Sequence, residues 1–132
     1  MKSNKDVAAG WMQKAESDLA NVAICLERNV ALDTACFHAH QAAEKYLKAY
    51  LTYHDVDFPF VHDLERLVTL CAQLDPAYAD IRATAASLTP YAVVLRYDME
   101  FWPAIEEVRA AQEGALQVKR YVMDRLPLGP GS

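Results

Sequence analysis

The sequence predicts an all-α fold, an up-and-down antiparallel helical bundle, and three observations carry that reading. Five consecutive segments place apolar residues at three- and four-residue spacing, the period of a helix with one buried face. The one stretch with strand propensity, residues 91–98, has no second strand pattern to pair with. Connections between the segments are short, so successive helices pack antiparallel.

The first helix spans roughly residues 5–28, with Ala8, Trp11, Ala15, Leu19, Val22 and Leu26 on its stripe and Lys14, Glu16, Asp18 and Glu27 mostly off it. Arg28-Asn29 is its stop. Asp33 is the expected N-cap of the second helix, because a carboxylate there can accept from the N–H groups of Ala35 or Cys36. That helix runs to about Tyr53, where His54 to Pro59 break it. A third helix opens at His62-Asp63-Leu64, with Asp63 in a first turn that favours negative charge. Asp75-Pro76 is a stop and restart, since Asp caps and Pro takes the first helical position. The fourth helix then buries Ala77, Ile81, Ala85 and Leu88 until Thr89-Pro90 interrupts it. The last helix starts at Trp102-Pro103 and follows Ile105, Val108, Ala111, Ala115, Val118, Val122 and Leu126. Glu106 and Glu107 in its first turn and Lys119, Arg120 and Arg125 towards its end suit the helix dipole. Residues 1–126 thus form a single helical domain, and residues 127–132 read as a disordered tail.

Composition narrows the function. The chain of 132 residues is 53% hydrophobic and 23% charged, an ordinary globular balance with a core of its own. A net charge of -5 argues against a broad electrostatic grip on nucleic acid, which shows as a basic excess. Cys25, Cys36 and Cys71 lie in apolar helical patterns without metal spacing and read as buried, reduced hydrophobes. No apolar run approaches the ~20 residues of a membrane span, and no signal-peptide core is present, so the expected location is cytoplasmic. No Gly-rich phosphate loop, nucleophilic triad or cofactor motif occurs, and no cofactor is expected.

The second helix carries the chemistry. Ala39, Ala43, Tyr46, Leu47, Tyr50 and Leu51 form an apolar stripe, while His40, Glu44 and Lys48 step by fours along a neighbouring face that Gln41 and Lys45 widen. These groups can hold a nucleotide or phosphate, with Lys48 on the phosphate and His40 or Gln41 on a base or ribose. They equally suit a structural network, because Glu44 and Lys48 are an i,i+4 pair in the favourable order. A metal held by His40, Glu44, His62 and Asp63 has weak spacing and is not expected. Arg96, set between Leu95 and Tyr97, needs a carboxylate partner, for which Glu44, Asp98 and Glu100 are candidates. His38 and His54 read as surface polarity.

Four pieces together resemble the HEPN domain, the higher eukaryotes and prokaryotes nucleotide-binding domain. They are Trp11 and Ala15 with Asp18-Leu19; the run His40-Gln41-Ala42-Ala43-Glu44-Lys45-Tyr46-Leu47-Lys48-Ala49; His62-Asp63-Leu64; and Leu95-Arg96-Tyr97, which is similar to an Arg-Tyr-Pro element. Asp98 departs from that element's Pro. The resemblance covers about residues 8–125. It implies four long antiparallel helices plus a short fifth, a homodimer, and Arg96 close to the second helix. It also implies a minimal nucleotidyltransferase as partner, in an arrangement resembling a toxin–antitoxin pair. The site it points to is His40, Gln41, Glu44, Lys48 and Arg96, binding an anion such as a nucleotide phosphate.

Catalytic members of that family are metal-independent ribonucleases with an Arg and a following His separated by four to six residues. Here the last His is His62, and Arg28, the one earlier Arg, has Asp33, Thr34 and Ala35 at those offsets. No catalytic residue is assigned on this basis. Three classes stay open: a non-catalytic nucleotide-binding and interaction module, a ribonuclease toxin with a non-standard site, and a helical dimerisation protein without ligand. Trp11, Phe37, Tyr46 and Tyr50, large apolar groups near polar borders, are the residue-level argument for a homodimer.

Overall fold

Ser3 opens the bundle with a reciprocal cap. Its hydroxyl accepts from the Asp6 N–H and the Asp6 carboxylate accepts from the Ser3 N–H, each at 3.2 Å. The computed structural model describes residues 2–59, 63–93 and 98–127. Helix α1 runs Asn4–Arg28 and stops as expected, because Asn29 is left-handed at φ 54° and returns its N–H to the last turn.

Helix α2, Leu32–Tyr53, starts earlier than the sequence implies. The cap position belongs to Ala31, left-handed at φ 51° and without a side-chain cap bond, so Asp33 falls in the first turn. Two left-handed residues within three positions turn the chain too sharply for Asp33 to stay outside the helix. Its carboxylate acts through the helix dipole instead. Helix α3, Leu64–Leu74, has Asp63 as its N-cap, accepting from the Glu65 N–H at 3.0 Å. His62 lies outside the described residues.

Asp75 and Pro76 restart the chain as read, the Asp75 side chain accepting from the Ala77 N–H at 3.0 Å. The fourth segment is not one continuous α-helix. Residues Pro76–Ile81 wind as a 3-10 helix before α4, Arg82–Leu88. In 3-10 winding, residues three apart eclipse, which turns Tyr78 and Ile81 together into the core. Residues 91–93 are helical again, and 94–97 lie outside the described residues. Helix α5, Ile105–Arg125, begins later than Trp102-Pro103 because the chain stays extended through its cap, Ala104.

Side-chain pairs set the packing. Going down α1 from Asp18 through Glu16 to Trp11, the contacts climb α2 from His38 through Tyr46 to Lys48, so the two helices are antiparallel. Against α5, Asp75 meets Arg125, Asp80 meets Tyr121 and Thr84 meets Gln117, again antiparallel. The Leu64 N–H donates to Thr89, joining the start of α3 to the end of α4. Helix α2 is the centre: it touches α1, α3, α4 and α5. All described regular structure is helical, the all-α bundle that the periodicity predicts.

Two of the four residues advanced for a dimer surface are core instead. Tyr46 is 0% and Tyr50 4% exposed, because α2 is covered on several sides. Trp11 and Phe37 are half-buried.

Candidate functional site

A helix wrapped by four others has little free face, and this decides the character of the polar column on α2. His40 is 0%, Glu44 3% and Lys48 7% exposed. The Lys48 ammonium lies 3.0 Å from Glu44 Oε2, an ion pair one turn apart and inside the protein. It also sits 5.4 Å from the ring centroids of both Trp11, from α1, and Phe58, from the segment after α2. Those two rings meet edge to face at 6.4 Å. His40 Nδ1 is 3.2 Å from Gln41 Oε1, and Gln41 is half-buried at the column's border. His40 and Glu44 have further interactions besides these. The structure thus gathers His40, Gln41, Glu44 and Lys48 on one run of α2, while Arg96 lies outside the described residues.

A second polar cluster bridges α1 and α2. Asp18, 7% exposed, receives His38 Nδ1 at 2.8 Å and Lys45 Nζ at 2.6 Å on its two oxygens. His38 is therefore part of an interhelical network rather than simple surface polarity, and Lys45 turns to α1 instead of widening the Glu44 face. Beside it, Glu16 accepts from Tyr46 Oη at 2.6 Å and pairs with Lys119 Nζ at 2.9 Å. Burial pushes the Glu16 carboxyl up, but the bonds from Tyr46 and Lys119 and the Lys119 charge outweigh it and leave the group below its ordinary value. Burial, then the hydrogen bond to Glu16, pushes the Tyr46 phenol up.

Asp18 is the residue that a reading of the α1 stripe passes over. The signal was present: Ala8, Trp11, Ala15, Asp18, Val22 and Cys25 alternate three- and four-residue steps, a packing seam with a carboxylate in one slot. An acid on a seam predicts a cation on the facing helix, and Lys45 supplies it, with His38 Nδ1 on the second oxygen.

Two of the three thiols are held in the protonated form by burial. Burial, with the Glu107 charge second, pushes Cys36 from 9.0 to about 12, and burial pushes Cys71 up as well. Among the described residues no three or more His, Cys, Asp or Glu side chains gather as a metal site, and no helix is long and apolar enough to cross a membrane.

Similarity to known proteins agrees with this architecture. An archaeal HEPN homologue of known crystal structure superimposes with a TM-score of 0.73 at 22% identity, covering 95% of this chain and 98% of the other. A protein from Thermus thermophilus superimposes with a TM-score of 0.79 at 22% identity, covering 90% and 98%. No curated protein matches the chain. The family model described as the HEPN domain matches residues 8–125, a span that takes in the Asp18 cluster, the α2 polar column and the whole bundle around them. The chain belongs to the HEPN domain family.

Proposed function

We propose that this protein is a non-catalytic, cytoplasmic HEPN interaction module: a homodimer that partners a minimal nucleotidyltransferase in a toxin–antitoxin-like pair and takes a nucleotide at the polar face of α2. The observation that carries the ligand part is the buried column itself. A buried ion pair is weak evidence for stability, since well-packed apolar residues of similar volume often serve as well or better. A bundle that keeps His40, Glu44 and Lys48 where apolar groups would pack therefore supports a role for them beyond folding. In this reading Lys48 and Arg96 meet the phosphate and His40 and Gln41 the base or ribose, with α1 giving way at Trp11 to admit the ligand. The missing Arg-to-His spacing supports the non-catalytic half, because no base stands at the family's distance from an Arg.

Thermal melting with ATP or GTP in excess tests the ligand part. A ligand that binds only the folded state raises the melting temperature. The paired variant Glu44→Gln/Lys48→Met removes both charges of the pair, and, with its folding checked by circular dichroism, is expected to lose the nucleotide-dependent rise. No rise with any nucleotide in the unaltered protein rejects the ligand. Co-purification with a co-expressed minimal nucleotidyltransferase tests the partner separately.

A further inference from the structure

Where α1 begins and the chain leaves α2, a groove of about 350 Å³ opens between Trp11 and Val7 on one side and Val56 and Phe58 on the other. Asp55 and Asp57 line it as well. Both carboxylates are exposed, and neither forms an ion pair among the described residues. The loop that carries them is held in place: the Asp55 N–H donates to the Thr52 carbonyl at 3.1 Å and the Val56 N–H to the Leu51 carbonyl at 2.9 Å.

From this geometry we infer that the groove binds an organic cation, an ammonium or guanidinium carried on a short apolar stem. The volume is at the lower end of the ~300–1,000 Å³ of ligand pockets, so it suits a single side chain or a small amine. An anion would meet two carboxylates. A wholly apolar ligand would strip water from those carboxylates and return no hydrogen bond. A bare metal ion would leave the aromatic and valine walls unused, and no metal-ligand group forms among the described residues. A cation on an apolar stem satisfies both halves: stem against Val7, Val56 and the rings, head on Asp55 and Asp57. The protein already places a cation against these rings, because the Lys48 ammonium lies 5.4 Å from both centroids. The ligand class is thus opposite in charge to the nucleotide proposed for α2; Trp11 borders both sites, and the charge of the probe tells them apart.

The test is a ¹⁵N NMR titration of the Trp11 indole signal in a Trp102→Phe background, Trp102 being 75% exposed and away from the groove's lining. The probes are n-butylguanidinium, the peptide acetyl-Gly-Arg-Gly-amide, and its norleucine counterpart as the uncharged control. Saturable shifts are expected with the charged probes at millimolar concentration. In Asp55→Asn/Asp57→Asn the affinity is expected to fall about tenfold, the scale of two exposed ion pairs. That variant should fold normally, because Asn tolerates the left-handed backbone of Asp55 (φ 57°). Equal response to both charged probes assigns a free amine-type ligand, and response to the peptide alone assigns a partner's basic side chain. No saturable shift, equal binding of the norleucine peptide, or unchanged affinity in the Asn variant overturns the site.

Discussion

At Lys48 and Asp18 the same chemistry, an ion pair between helices or turns, stands in two environments with different consequences. Lys48 and Glu44 are both enclosed, so Lys48→Ala takes the ammonium away from a buried carboxylate and should cost ~3–5 kcal/mol of stability in urea denaturation. The paired Glu44→Gln/Lys48→Met change should cost clearly less, and an equal loss would show that packing rather than charge holds the column. Asp18 is enclosed, but its partners His38 and Lys45 are 29% and 20% exposed at their side chains and can regain water. Asp18→Ala should therefore cost only ~1–3 kcal/mol. The thiols give a pH prediction with a definite sign. Cys36 has a folded pKa raised from 9.0 to about 12, so the unfolded chain ionises first. Its contribution to stability is complete below pH 9.0 and is lost as pH rises towards about 12. Stability measured across that range should fall less steeply in Cys36→Ala than in the unaltered chain.

Between residues and fold, two backbone positions act in opposite directions. Gly10 sits inside α1, and a Cβ there would meet nothing within 4 Å. Gly10→Ala should stabilise the protein by ~0.5–1 kcal/mol, because it removes unfolded-state freedom at no steric cost. Ala31 is held left-handed at φ 51°, where its Cβ is strained. Ala31→Gly should also stabilise, by about 0.5–1 kcal/mol, as relief of a ~1–2 kcal/mol strain exceeds the entropy that Gly adds to the unfolded chain. Melting temperatures of the two variants check both. The helix ends divide in the same way. Asn29, Asp63 and Asp75 were legible as caps or stops because their side chains or left-handed tendency act locally. Ala31 was not, since nothing in an alanine announces a cap imposed by a sharp connection.

For the whole molecule, the question is what the bundle leaves uncovered. With Tyr46 and Tyr50 in the core, the large apolar groups still at the surface include Ile24 at 52%, Val30 at 50%, Met99 at 89% and Trp102 at 75% exposure. Patches of such groups mark interfaces. Light scattering at micromolar concentration should give twice the 14.8 kDa protomer mass, and a single-protomer mass rejects the dimer. Metal-free incubation with RNA should yield no cleavage. Cleavage that disappears in Arg96→Ala would instead establish a ribonuclease completed by a His from elsewhere in the fold.

Periodicity, caps and composition are local properties, and by themselves they determined the all-α class, most of the helix order, and the run on α2 where polar residues align. Residues four apart on a helix share a face whatever surrounds it, so His40, Glu44 and Lys48 had to line up. Whether that face met water or protein depended on how many helices α2 touches, a count that no stretch of sequence contains. The tertiary structure made the column buried, turned Lys45 and His38 to Asp18, and set Trp11 and Phe58 over the Lys48 ammonium. It also brought Val7 and Trp11 beside Asp55 and Asp57, forming a groove from residues more than forty positions apart. Burial and juxtaposition are long-range quantities, and only the packed chain decides them.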